Sequence, residues 1–401
     1  MKVNIIDSIM GSGKTSWALQ HIEEAPADEK FIYITPFLSE IERVKTTVKT
    51  RKFIEPNNAN EEGRKLRSLK ELIADGYDIA ATHSLFQSAD DELIDLLEGS
   101  GYTLILDEVM NVIEKAKVKE IDIQTMLKSG LIEIDETTNR VIWKSVGTDG
   151  GRFEDIRLYC LAGNLFQFRG KFLLWAFPPR VFRAFERVTV MTYLFSAQIQ
   201  RYYYDLHGIE YEYKAVKKVG ERFELTEYEP LNEQREKIME LIDLYEGRLN
   251  DVGDRNNAFG ASWLRNASSS LQDKIKRSTY NFFKTHVKSR AKENLWTTLK
   301  EKESRLGGDG YKKSFIPLNM RATNDYSDRR ALAYLFNRFM DPYERSFFED
   351  NGVTVDQDLL AVSDLLQWVY RSRIRNGESI HLYLPSSRMR ILLKSWGNYE
   401  I

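Results

Sequence analysis

Residues 3–15 read VNIIDSIMGSGKT. The first five, VNIID, have the near-continuous apolar character of a short strand buried on both faces. The loop SIMGSGKT runs from Ser8 to Thr15, and the stretch from Lys14 to His21 has helical composition, with Trp17, Ala18 and Leu19 available for packing. Strand, glycine-rich loop and helix in that order make an anion cradle. Gly11 and Gly13 let backbone N–H groups approach phosphate oxygens with no Cβ in the way. The helix adds its positive N-terminus. Lys14 can reach β- and γ-phosphates and Thr15 can ligate Mg²⁺. Ser8, Gly11, Ser12, Gly13, Lys14 and Thr15 are therefore the candidate phosphate-binding residues. The motif usually begins with Gly; Ser8 is a small replacement.

Outward from the loop, FIYIT at 31–35 reads as a second strand ended by Pro36, and a helix is expected from Glu40 to Thr50. DIAAT at 78–82 is a third strand, DDELIDLLEG is helical, and TLILDEV carries a fourth strand at 103–107. Strands alternating with helices predict an α/β fold with a parallel sheet covered on both faces. Asp107 and Glu108 close the fourth strand, and ligands of open parallel sheets sit at the carboxyl ends of strands. Asp107 would face Mg²⁺, and Glu108 would orient or deprotonate an attacking water.

The pattern changes after Asn111. LIEIDETTNRVIWK at 131–144 predicts a hairpin with its turn at Thr137–Asn139, and IRLYCLAG and KFLLWAF add strand-like runs. Residues 112–187 therefore read as a β-rich insertion, after which VTVMTY at 188–193 resumes the parallel pattern. A linker is expected near 214–232. Beyond it the sequence predicts a strand at 314–318, helices at 328–340 and 357–374, a strand at 379–384 and a last helix capped by Ser386 or Ser387.

A length of 401 residues is room for two domains, and 42% hydrophobic residues supply their cores. The net charge of −2 confines any nucleic-acid surface to a local patch. Cys160 is the sole cysteine, which excludes an internal disulfide and a cysteine metal cluster and fits a reducing cytoplasm. The N-terminal apolar run is broken by Asn4, Asp7 and Ser8, unlike a signal peptide. No stretch reaches 18 uninterrupted apolar residues, so no membrane partner is expected. Residues 274–292, KIKRSTYNFFKTHVKSRAK, hold seven Lys or Arg and no acid, with Tyr280, Phe282 and Phe283 interleaved. Cations bind phosphates and aromatics stack on bases; equally, the aromatics of an amphipathic helix enter a core. Lys284 and Lys288, four residues apart, would share a helical face.

Taken together these motifs resemble superfamily 2 helicases and nucleic-acid translocases. YITP at 33–36 looks like motif Ia, placing Thr35 and Pro36 on the nucleic-acid backbone, and ATHSLF at 81–86 puts Thr82 and His83 at the next contact. TYLFSAQ at 192–198 looks like motif III, whose Ser196 and Ala197 would couple nucleotide state to strand movement. QWVYRSRIR at 367–375 resembles motif VI: Gln367 and Arg371 have the family spacing, while the second arginine is expected at Ile374, flanked by Arg373 and Arg375. Arg375 is taken with Arg371 as the catalytic pair, with Arg373 open as the alternative. NMRATNDYSDR at 319–329 is the candidate motif V.

The resemblance implies two RecA-like parallel-sheet domains in tandem. The first would span 1–214 with the insertion at 112–187, the second 215–401 with a helical basic segment at about 256–305. It implies ATP and Mg²⁺ as cofactors, ATP hydrolysis, and a helicase or translocase acting on nucleic acid, DNA before RNA. The short motifs separated by long unusual segments look like a bacteriophage-encoded helicase, active in the host cytoplasm, with the insertion as a surface for protein partners. No adenine-reading segment is expected ahead of the phosphate loop, and GTP is not excluded. Two alternatives stand beside this reading. A viral packaging ATPase would add clustered nuclease carboxylates in the second half; Glu349 and Asp350 are adjacent there, but the other acids nearby are scattered. A nucleotide-dependent switch would bind partners without translocating.

Overall fold

The computed structural model describes residues 2–145, 150–318 and 325–401, so residues 319–324 of the candidate motif V lie outside the described residues. The alternation read from the sequence builds β1 (Val3–Asp7), β2 (Lys30–Thr35), β3 (Ile79–Thr82) and β4 (Tyr102–Asp107). The insertion follows with β5 (Ile113–Lys115), β6 (Ile132–Ile134), β7 (Val141–Trp143), β8 (Leu165–Phe168) and β9 (Phe172–Ala176). Then come β10 (Arg187–Thr192), β11 (Tyr211–Val219) and β12 (Arg222–Glu227). Seven of these form one sheet in the order β12-β11-β1-β10-β4-β2-β3. Every pairing in it is parallel except β11 with β12. The central strands are buried on both faces, which is why they read as unbroken apolar runs. Helix Lys14–Glu24 seals one face with Trp17, Ala18, Leu19 and Ile22.

The linker expected near 214–232 is instead the hairpin β11–β12, and the expected boundary at 214 falls inside β11. A lone edge at β1 would leave its backbone unpaired; β11 fills it, with Asn4 opposite Glu212 and Ile6 opposite Lys214.

The insertion carries five strands, with helices Glu120–Lys128 and Glu154–Leu161 among them. Its strands pair as β5-β9-β8 and β6-β7, all antiparallel, and the expected hairpin turn lies between Ile134 and Val141. The Asp135 carboxylate accepts the Thr137 and Thr138 N–H groups at 3.0 and 2.8 Å, and Asn139 takes φ of 59°, a local turn that short polar side chains favour. IRLYCLAG, expected as a strand, is helical over Glu154–Leu161. Ile156 and Cys160, four apart, are buried, while Leu158 and Leu161 are exposed, the period of a helix.

The second sheet holds β13 (Ile242–Leu244), β14 (Asn294–Thr297), β15 (Ala331–Tyr334) and β16 (Ile380–Tyr383), all parallel, in the order β13-β16-β15-β14. The helix expected at 328–340 is replaced by β15, a fully interior strand. The strand expected at 314–318 makes only one bridge, Phe315 to Trp296; Pro317 has no N–H to extend a ladder. Helix Gln357–Val369 stops short of the expected residue 374, and the last helix, Ser387–Gly397, is capped by Ser386.

Two compact units result. The first holds β1, Ser12–Tyr228 and a returning segment, Asp341–Val355; the second holds Glu229–Met340 and Asp356–Ile401. The returning segment forms helix Pro342–Asp350, capped by Asp341. Its Tyr343 ring packs 4.1 Å from Phe172, Phe347 lies 5.8 Å from Phe168, and Phe348 lies 5.8 Å from Tyr202. Asp350 pairs with Arg169 at 2.7 Å and Glu349 with Arg345 at 2.8 Å. The adjacent acids considered for a nuclease are thus spent on ion pairs. Among the described residues no group of three or more His, Cys, Asp or Glu is placed to hold a metal ion, and no helix is long and apolar enough to cross a membrane.

Candidate functional site

β1 delivers Ser8 to the carboxyl end of the first sheet, where the chain turns through Gly11 (φ 83°) and Gly13 (φ 99°) into helix Lys14–Glu24. Both conformations are left-handed and suit glycine. Ser8 has no such need, and its hydroxyl accepts the Val216 N–H of β11 at 2.8 Å. Serine at the first loop position therefore stitches the neighbouring strand to the loop. Lys14 is buried and donates from Nζ to the Ser8 carbonyl at 2.5 Å, folding its ammonium over the loop. The Ser12 hydroxyl is buried with no hydrogen-bond partner among the described residues.

β4 brings the second motif to the same place. Thr15 Oγ1 donates to Asp107 Oδ2 at 3.2 Å, across 92 residues of sequence. The Tyr33 hydroxyl of β2 donates to the same carboxylate at 2.7 Å. Burial lifts the Asp107 carboxyl above its ordinary range, against the opposing pull of the Tyr33 hydrogen bond. Burial and the Asp107 charge raise the Tyr33 hydroxyl well above its ordinary value, so it remains a donor. Glu108 sits at φ 72°, a conformation uncommon outside glycine that is held at functional positions. Its N–H donates to the Met191 carbonyl at 2.9 Å, and Thr192 donates to its carboxylate at 3.3 Å.

The motif III segment is tied to the same strand end. Asp7 receives the Leu194 and Phe195 N–H groups, each at 2.8 Å, and Leu194 is left-handed at φ 53°. Ser196 and Ala197 lie in the 3₁₀ turn Phe195–Ala197, directly after this clamp. Asp7 and Tyr33 were missed as site residues. An Asp ending the strand just before a phosphate loop, and a Tyr two residues ahead of the Thr-Pro pair, were the signals available.

These residues fit a magnesium-bound nucleoside triphosphate. Gly11 and Gly13 keep the cradle clear of Cβ atoms, the buried Ser12 hydroxyl has no other partner, and the Thr15 hydroxyl beside the Asp107 carboxylate suits a cation that keeps water and phosphate ligands.

Other expectations fare differently. Thr35 is buried, and its hydroxyl accepts the Phe37 N–H at 3.4 Å; His83 is also buried. Both are internal residues here, leaving half-buried Pro36 and Thr82 nearest the surface. Thr82 caps the turn His83–Phe86. Lys284 and Lys288 are exposed, but they do not share a helical face. Helix Ser269–Asn281 widens into a π turn over Phe282–His286, and Lys288 is left-handed at φ 53°. Phe282 and Phe283 enter the core, where Phe282 stacks 5.2 Å from Tyr383, while Tyr280 remains exposed. In the second unit Gln367 is on helix Gln357–Val369, and buried Arg371 follows it. Arg373 donates to the Ser379 carbonyl at 2.6 Å, securing its own turn, whereas Arg375 is exposed.

The two parallel sheets and their order define tandem RecA-like α/β units. An apo structure of XPD matches with a TM-score of 0.54 at 14% identity, covering 99% of this chain and 95% of that one. Xpd4 of S. tokodaii matches with a TM-score of 0.49 at 13% identity, covering 100% and 94%. In sequence, the SPbeta prophage-derived protein YonV of Bacillus subtilis (strain 168) is 40% identical over 406 positions, covering 98% of each chain. Residues 236–397 match the YonV C-terminal Rossmann-like domain and residues 113–175 the YonV middle domain. The chain belongs to the YonV family.

Proposed function

We propose that this protein is a Mg²⁺-dependent ATP hydrolase that drives translocation or unwinding on nucleic acid, in a phage or prophage setting. The observation that carries the reading is the Thr15–Asp107 hydrogen bond, which joins the phosphate loop to the acidic pair. Bound Mg²⁺ would withdraw charge from the phosphates and hold them for in-line attack. Lys14 releases the Ser8 carbonyl to take a phosphate oxygen, Thr15 and Asp107 hold the cation, and Glu108 orients and deprotonates water. Gln367 contacts the nucleotide, and Arg371 supplies charge to the transition state. Arg375 is its partner in this assignment, with Arg373 as the alternative. Ser196 and Ala197 carry nucleotide state from the strand ends toward the nucleic acid. DNA is the partner favoured over RNA, and the insertion is a surface for protein partners.

The test is ATP turnover with no nucleic acid, single-stranded DNA, duplex DNA and RNA. A motor is stimulated several-fold by at least one of them. Turnover indifferent to all three identifies a nucleotide switch. Lys14→Ala should lower turnover by about a hundred- to a thousand-fold; wild-type activity in that variant overturns the proposal.

A further inference from the structure

The hairpin β11–β12 places an aromatic ring against the phosphate loop. A Cβ built on Gly13 would lie 2.1 Å from Cε1 of Phe223 and 2.5 Å from its Cδ1. Gly13 is therefore fixed twice, by its left-handed backbone and by the ring that abuts it. Phe223 is held in place by helix Lys14–Glu24. Gln20 accepts the Phe223 N–H at 3.0 Å and donates to its carbonyl at 3.3 Å, and Arg222 pairs with Glu24 at 2.6 Å. Yet the ring is only partly buried. Leu225, two residues on and so on the same face of β12, is 41% exposed. The cross-strand partner of Phe223 is Lys218, whose Nζ lies 6.0 Å from the ring centroid. Phe223 packs against the core that includes Trp17 and Val216, and the part of its ring left uncovered lies beside the phosphate loop.

From this we infer that Phe223, with Leu225 beside it, is the shelf on which the base of the bound nucleotide rests. The inference depends on the phosphate-loop reading above and adds the base site to it. Bases stack on aromatic faces whatever their edge pattern. Both polar ends of the Gln20 amide are spent on the Phe223 backbone. The shelf thus grips the base by its face rather than by its edge, and it accepts adenine and guanine alike.

Calorimetric titration of the full chain with Mg-ATP, Mg-GTP and Mg-tripolyphosphate tests this. Wild type should bind both nucleotides within a few-fold of one another. Phe223→Leu, which keeps an apolar contact to Gly13, should weaken both by about tenfold and leave tripolyphosphate binding unchanged. Phe223→Tyr should restore nucleotide affinity. A Leu variant that binds nucleotides like wild type overturns the shelf, and so does a strong wild-type preference for one base. Loss of nucleotide and tripolyphosphate binding together in Phe223→Leu, unrestored by Tyr, assigns Phe223 to loop packing and likewise overturns it. Wild-type protein that binds none of the three overturns the phosphate-loop reading itself, and the shelf with it.

Discussion

Burial raises the Asp107 carboxyl, while the Tyr33 and Thr15 hydroxyls at 2.7 and 3.2 Å only partly offset that cost. Its pKa is higher folded than unfolded, so the folded state holds the proton more tightly. Stability is then lost as pH rises from the unfolded pKa through the raised folded one, and the cost is complete at neutral pH. Asp107→Asn removes that charge and keeps an acceptor for Tyr33. The metal-free variant should melt about 2–4 °C higher than wild type at neutral pH, with the difference shrinking on acidification and turnover abolished. Scanning calorimetry across pH decides it; a lower melting temperature would mean that the carboxylate is a net stabiliser. Ser8 makes the opposite case. Reverting it to the usual residue, Ser8→Gly, strands the buried Val216 N–H and should cost about 1–3 kcal/mol in a urea titration. An unchanged midpoint would show that the strand holds without it. Such residues were legible to different degrees. Lys14, Thr15 and Asp107 announce themselves through spacing, whereas Asp7 and Tyr33 act through contacts across the sheet that no local pattern contains.

Among the elements, the first sheet was readable because each central strand is short, apolar and followed by a helix with polar punctuation. The second was not. RALAYLF reads equally as a buried helix or a buried parallel strand, and only pairing with β14 and β16 selects the latter. β11 and β12 alternate polar and apolar residues and lack long apolar runs, so they passed for a linker. The basic segment divides between its two readings: Phe282 and Phe283 serve the core, and the exposed charges remain free for another role. If nucleic acid runs along it, phosphate contacts release counterions independently of any shared helical face. Lys284→Ala with Lys288→Ala should flatten the slope of log affinity against log salt by roughly 1–2. Titrations at several salt concentrations measure it. An unchanged slope moves the nucleic-acid surface to the neighbourhood of Pro36 and Thr82.

For the whole molecule, the proposed motor reading assigns Arg371 to the charge that develops on the transferring phosphoryl group. Arg371→Ala should therefore lower the saturated rate by about a thousand-fold while nucleotide affinity changes little, since the guanidinium matters most as charge develops on the phosphoryl group. Single-turnover rates beside binding constants separate the two. A loss confined to affinity would demote Arg371 to a binding contact.

The helix Pro342–Asp350 belongs to the first unit in space and lies between strands of the second in sequence. No single cut can therefore yield the first unit whole. A fragment ending at Tyr228 would leave Phe168, Phe172 and Arg169 without Phe347, Tyr343 and Asp350, and its uncovered rings would invite aggregation. The complementary fragment would carry a helix with nothing beneath it. The same arithmetic governs inheritance. A lone recombination crossover at residue 228 separates that helix from its seat, so the two units can be exchanged between relatives only when both sides of the pairing move together.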